Sequence, residues 1–252
     1  MCEGDNKRLN LYDYFGFPDR QQRDEVKQIF DRSKLNLISV EGSLFILDTC
    51  FEQYNGWSNH INNYSSSLDL HFLLMHYQYR QKPSDSIGEA AFQSSQTAHK
   101  IFFDTFAEDV SLYLVSYLDK HLEMFNDLYD LKYRSGKKYN LRRKAIINEM
   151  EKIDELQKLA GEYQIVIESR EFKQIKKVRD NFVHNKSSSH TGMSITKIKS
   201  SAVYSFVNSK GISTEATYEA ICKLLKRYEK LCEKVNEFVK AVVKQEEVEC
   251  DK

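Results

Sequence analysis

The chain has 252 residues, 41% hydrophobic and 29% charged, which is a globular composition and enough chain to bury a core without disulfide or metal staples. Lysine plus arginine equals aspartate plus glutamate at 37 each, so net charge gives no general pull toward nucleic acid or membrane, and any such binding must come from a local patch. Only 9 glycines and 2 prolines are present, too few breakers for an all-β protein with a turn about every 8–12 residues, and an all-α fold is expected.

Residues 1–18 form an irregular lead-in ending at Gly16-Phe17-Pro18. Residues 19–54 carry a mainly helical apolar pattern, and the Asn/Ser-rich stretch from Asn55 to Ser67 is expected to be a loop. A short apolar helix, 68–81, stops before Pro83. The run 88–133 reads as one long or two abutting helices with Phe103, Phe106, Val110, Leu114 and Phe125 on the buried face. Asn140 is placed as the cap of a helix to about Ala160, Gly161 as a break, and a further helix runs from Tyr163 to His184. Residues 186–201 are expected to be a flexible loop, with room for a short strand at Met193 to Ile198. Thr214 opens the last long helix, and 246–252 is expected to be a frayed tail. No repeat and no strong boundary divides the chain, so a single helical domain over 1–252 is expected.

Much chemistry is excluded directly. The five cysteines, Cys2, Cys50, Cys222, Cys232 and Cys250, are odd in number and contain no C-x-x-C pair, which fits reduced thiols in a cytoplasmic protein. Residues 1–10 are polar, and no apolar run approaches the roughly 18 residues of a membrane span. No glycines are spaced for a phosphate-cradling loop, and E-x-x-H, H-E-x-x-H and G-x-S-x-G are all absent. Neither a metal nor a cofactor is called for.

What survives is V-R-D-N-F-V-H-N, in which Arg179, Asp180 and His184 form R-x-x-x-x-H at the end of a helical run. On a helical wheel with Arg179 at zero, Phe172, Ile175, Val178, Phe182 and Val183 fall between about −100° and +40°. Arg179 therefore sits inside the apolar stripe. Asp180, Lys173, Lys177, Asn181 and His184 lie on the polar side, at about +100° to +200°. An arginine on a packing seam is costly unless an anion pairs it, either a carboxylate of the same fold or a phosphodiester from outside.

This segment resembles the signature of the HEPN superfamily, an R-x4–6-H motif at a helix end, often with Asn, Asp or His directly after the arginine. The resemblance implies a helical bundle, here with additional helices and the flexible loop after the motif helix. It also implies a homodimer with the two motifs facing each other, and a metal-independent endoribonuclease of defence or toxin–antitoxin systems. By that resemblance His184 would be the general acid or base, Arg179 would stabilise phosphate charge, and Asp180 would orient one of them. The toxins paired with a minimal nucleotidyltransferase carry a tyrosine two residues after the histidine; Lys186 stands there in this chain.

The stretch 132–144 holds seven basic residues and no acid. Lys137, Lys138, Arg142 and Arg143, with Lys177 and Lys186 near the motif, are the candidate RNA-backbone contacts. RNA and an antitoxin or effector protein are the expected partners. Two other readings stay open: a non-catalytic helical dimerisation module in which Arg179 pairs with an internal carboxylate, and a nucleotide or second-messenger sensor using the same cleft.

Overall fold

The structure, a computed structural model, describes residues 16–40, 48–83, 85, 95–131, 139–183, 191–198, 201–208 and 213–250. Helix α1 (Arg20–Ile29) opens with a capping box: Asp19 accepts the Gln22 N–H at 2.8 Å, and the Gln22 side chain accepts the Asp19 N–H at 3.0 Å. A single 3-10 turn (Arg32–Leu35) and an extended stretch over 36–40 lead to α2 (Asp48–Arg80). Contacts between α2 and α3 (Ser95–Leu128) run in opposite chain order, from Trp57–Asp127 through His71–Asp109 to Gln78–His99, so the two long helices are antiparallel. They pack with α4 (Tyr139–Met150), α5 (Gln157–Glu168), α6 (Arg170–Val183) and α7 (Thr214–Cys250) around one cluster of buried apolar residues. The expected helical bundle is the observed fold.

The expected loop at 55–67 is instead the middle of α2. Its polar residues are accommodated in two ways. The Ser58, Ser65 and Ser66 hydroxyls donate to carbonyls three or four residues back, which keeps them inside a helix. Asn55 and Asn62 project onto the extended stretch 36–40 and act as peptide groups toward it. Asn62 accepts the Leu37 N–H at 2.8 Å and donates to the Leu37 carbonyl at 3.0 Å; Asn55 does the same for Val40 at 2.9 and 2.8 Å. From α7, Asn236 accepts the Ile38 N–H and donates to the Asn36 carbonyl, both at 3.0 Å. The backbone groups a sheet would pair are paired here by asparagine amides.

Other boundaries differ from expectation. The helix expected from Asn140 to about Ala160 ends at Met150, Gly161 lies inside α5, and a second break falls at Ser169, whose extended backbone and hydroxyl, accepting the Phe172 N–H at 3.1 Å, start α6 afresh. Within the stretch 186–201 the short strand expected at Met193 to Ile198 is present as β1 (Thr191–Ile198), and it pairs antiparallel with β2 (Ser201–Asn208), in register Thr191↔Asn208 through Ile198↔Ser201, so the stretch is not all loop. Its Ser, Lys and Thr content suggested a loop, but Ile195, Ile198, Val203, Tyr204, Phe206 and Val207 are strand formers. Finally, α7 continues through most of the expected frayed tail, to Cys250. Among the described residues no helix is long and apolar enough to cross a membrane.

The centre of the bundle holds Tyr117, Tyr163 and Tyr228, all fully buried with hydroxyls satisfied. Tyr117 donates to the Leu35 carbonyl and lies 2.9 Å from the Cys232 sulfur, Tyr228 donates to the Leu114 carbonyl at 2.8 Å, and Tyr163 lies 3.0 Å from His121 Nδ1. Burial pushes the fully enclosed His121 down to about 3 from its ordinary 6.5, so it is neutral at physiological pH.

Two predictions follow from this core. Because the unfolded chain protonates His121 near 6.5 and the folded chain only near 3, stability is full above pH 6.5 and is lost as pH falls through that window. The free-energy gap between wild type and His121→Leu, measured by urea unfolding at several pH values, should change by about 1.4 kcal/mol per pH unit between those limits. Asn62→Ala strands the Leu37 N–H and carbonyl and should lower unfolding free energy by about 2 kcal/mol, while the exposed Asn63→Ala should stay within about 0.5 kcal/mol.

Candidate functional site

Helix α6 buries Phe172, Ile175 and Val178 of the stripe read from the wheel; the side chains of Phe182 and Val183 lie outside the described residues. Its outer rows face neighbours as well. Glu171 pairs with Arg227 of α7 at 3.3 Å, and the Gln174 amide donates to the Ala216 carbonyl at 2.9 Å. These contacts fix the rotation of α6, and with it the direction of Arg179.

Arg179 is set into the edge of that packed face, with 16% of its side chain exposed. Asp180 Oδ1 lies 3.2 Å from Arg179 Nε. The N–H is not aimed at that oxygen, and Nε is buried without a hydrogen-bond acceptor among the described residues. The contact is therefore Coulombic rather than a directed hydrogen bond. The second oxygen of Asp180 accepts from Lys176 Nζ at 2.5 Å. One carboxylate is thus shared by two cations, and the trio carries a net positive charge. Sequence reasoning missed Lys176, although it falls at about +60° on the same wheel, between Arg179 and Asp180. Its i, i+4 spacing to Asp180 was the available signal. Half-exposed pairs of this type contribute about 0.3–0.5 kcal/mol, so stability alone is a weak reason for the arrangement.

Other expected site residues are distributed differently. Lys177 is exposed on the polar edge of α6, alongside exposed Lys173. His184 and Lys186, like Lys137 and Lys138, lie outside the described residues. Arg143 requires a correction. It is not a surface cation for RNA but is 4% exposed, holding both oxygens of Asp119 on α3 through Nε at 2.5 Å and Nη2 at 2.7 Å. Its guanidinium carbon also sits 5.5 Å from the centre of the Phe172 ring on α6. Arg142 is turned to Glu123 at 3.2 Å, a carboxylate it shares with Lys120 at 2.8 Å. The basic run looked like a solvated patch because a sequence does not reveal which arginines meet acids from another helix.

A family profile described as Cthe2314-like HEPN matches residues 57–245. The chain belongs to the HEPN superfamily. The match begins inside α2 and ends inside α7, so it spans α3 to α6, the hairpin and the R-x-x-x-x-H segment. The matched residues begin after α1, the 3-10 turn and the stretch 36–40, and Asn62 and Asn236 within the match bind that stretch. No curated protein and no solved structure gives a match. Among the described residues, no group of three or more His, Cys, Asp or Glu could hold a metal ion.

Arg143→Ala should expose its structural role. Removing the buried guanidinium leaves the half-buried Asp119 without its partner and should cost about 2 kcal/mol of unfolding free energy. Lys177→Ala, on the exposed edge, should leave the thermal melt unchanged.

Proposed function

We propose that this HEPN protein is a metal-independent endoribonuclease that works as a homodimer, with the Arg179 segments of two chains forming one composite cleft, in a defence or toxin–antitoxin setting. The observation that carries this reading is the placement of Arg179: a guanidinium held in the edge of a packed helix face, with the carboxylate beside it already shared with Lys176. An arginine kept this way is preorganised for an anion, and its planar donors suit a phosphodiester. The R-x-x-x-x-H segment in a superfamily rich in ribonucleases supplies the reaction class.

In this mechanism the ribose 2′-oxygen attacks the adjacent phosphorus and the bond to the 5′-oxygen breaks. The products are a 2′,3′-cyclic phosphate and a 5′-hydroxyl. His184 takes the 2′-hydroxyl proton or delivers one to the leaving oxygen. Arg179 stabilises the charge that builds on the non-bridging oxygens, and Asp180 keeps the guanidinium in place. An antitoxin or effector would act by covering this cleft.

Purified protein incubated with single-stranded RNA in EDTA should cut it, leaving cyclic phosphate ends. Arg179→Ala and His184→Ala should each abolish cleavage, and RNA methylated at the 2′-oxygens should resist. RNA that is bound but never cut, in EDTA or with added divalent ions, would assign the chain to the superfamily's non-catalytic binding modules instead.

A further inference from the structure

The basic edge of α6 extends beyond the motif. Lys173 and Lys177 are exposed on the side away from Ile175 and Val178, and Lys176 lies between them and Arg179 at the border of the packed face. Asp180 is the one acid among these described residues of that edge. Of the lysines, Lys176 is the one the structure holds in place. Its side chain is 20% exposed and its ammonium is anchored at 2.5 Å to the carboxylate that also lies beside Arg179.

We infer that Lys176 is a second phosphate-binding group of this site, positioned by Asp180 next to Arg179, and that it takes a backbone phosphate of a single-stranded RNA neighbouring the scissile one. The inference rests on the ribonuclease reading for its substrate class. Three features support it. An ammonium has three donors, and Asp180 uses one of them, so two remain for phosphate oxygens. Asp180 cancels only one of the two positive charges it touches, leaving one unit to meet an incoming phosphodiester. The helical step between Lys176 and Arg179 places them about one turn apart on the same edge, so two groups can be engaged by one strand. Asp180 then acts as a positioning residue for two cations, rather than as a base.

The test is binding of a short single-stranded RNA methylated at its 2′-oxygens, which cannot be cut, over a salt series. Each phosphate neutralised on a single strand contributes about 0.7 to the slope of log K against log salt. Lys176→Ala should lower that slope by about 0.7 and weaken binding several-fold at low salt, with the thermal melt unchanged. Lys176→Arg should restore both. Lys234→Ala, on exposed α7 surface and paired with Glu237, should alter neither. In cleavage assays Lys176→Ala should raise KM while leaving the pH profile in place. Asp180→Asn should both raise KM and lower kcat, because Lys176 and Arg179 lose the carboxylate that positions them. An unchanged salt slope in Lys176→Ala, with wild-type binding intact, overturns the inference and leaves the ribonuclease reading standing. Wild type that binds, with the lowered slope in Lys176→Ala, but never cuts unmodified RNA overturns the catalytic reading alone. Wild type that binds no RNA overturns both.

Discussion

Buried Arg143 and half-buried Asp119 form a two-pronged ion pair on which the geometry of the motif helix depends. A guanidinium removed from water is tolerated only where geometry and hydrogen bonding are good. Here both carboxylate oxygens are engaged and the guanidinium face lies by Phe172. The pair thus joins α3 to α4 and gives α6 a surface to sit on at its first turn. From there Ile175 and Val178 continue the same stripe into the core, and Glu171 and Gln174 tie the outer rows to α7. Once those rows are set, Arg179 has no freedom to rotate away. Its position at the edge of the packed face is a consequence of what is buried two turns earlier.

A second constraint joins the N-terminal part of the chain to the HEPN region. The stretch 36–40 runs extended, with no strand beside it among the described residues, yet the N–H and carbonyl groups of Leu37, Ile38 and Val40 are partnered. Asn55 and Asn62, seven residues apart on α2, reach it from one side, and Asn236 on α7 reaches it from the other. Tyr54 and Tyr117 add donors to the Ile38 and Leu35 carbonyls. Each amide offers one donor and one acceptor, which matches a peptide unit. Closer to the N-terminus, Gly16 lies against the Tyr77 ring with no room for a Cβ, another point where backbone meets α2 directly.

Several features of the site could be read without coordinates. A lone arginine within Phe172, Ile175 and Val178 has a period that only a helix satisfies, and the structure buries those three residues as that period requires. The lysines of 132–144 and the arginines beside them were a different matter. Arg142 and Arg143 look identical in sequence to solvated cations, and what distinguishes them is that Glu123 and Asp119 arrive from α3, about 20 residues away. The Asn/Ser run of α2 misled for a related reason. Asparagine favours turns when its amide has only local backbone to bind, but a helix is favoured when that amide meets a distant peptide group.

By itself the sequence determined the helical class, because too few glycines and prolines leave no means of turning often. It also determined the apolar face of α6 and the presence of an arginine on it, because side-chain period follows from local backbone geometry. Only the tertiary structure decided which cations are buried, where the α2 asparagines find their partners, and that Lys176 and Arg179 share one carboxylate. Those outcomes depend on helix rotation, on rotamers and on residues far apart in the chain meeting at hydrogen-bond distance, and local periodicity carries none of that information.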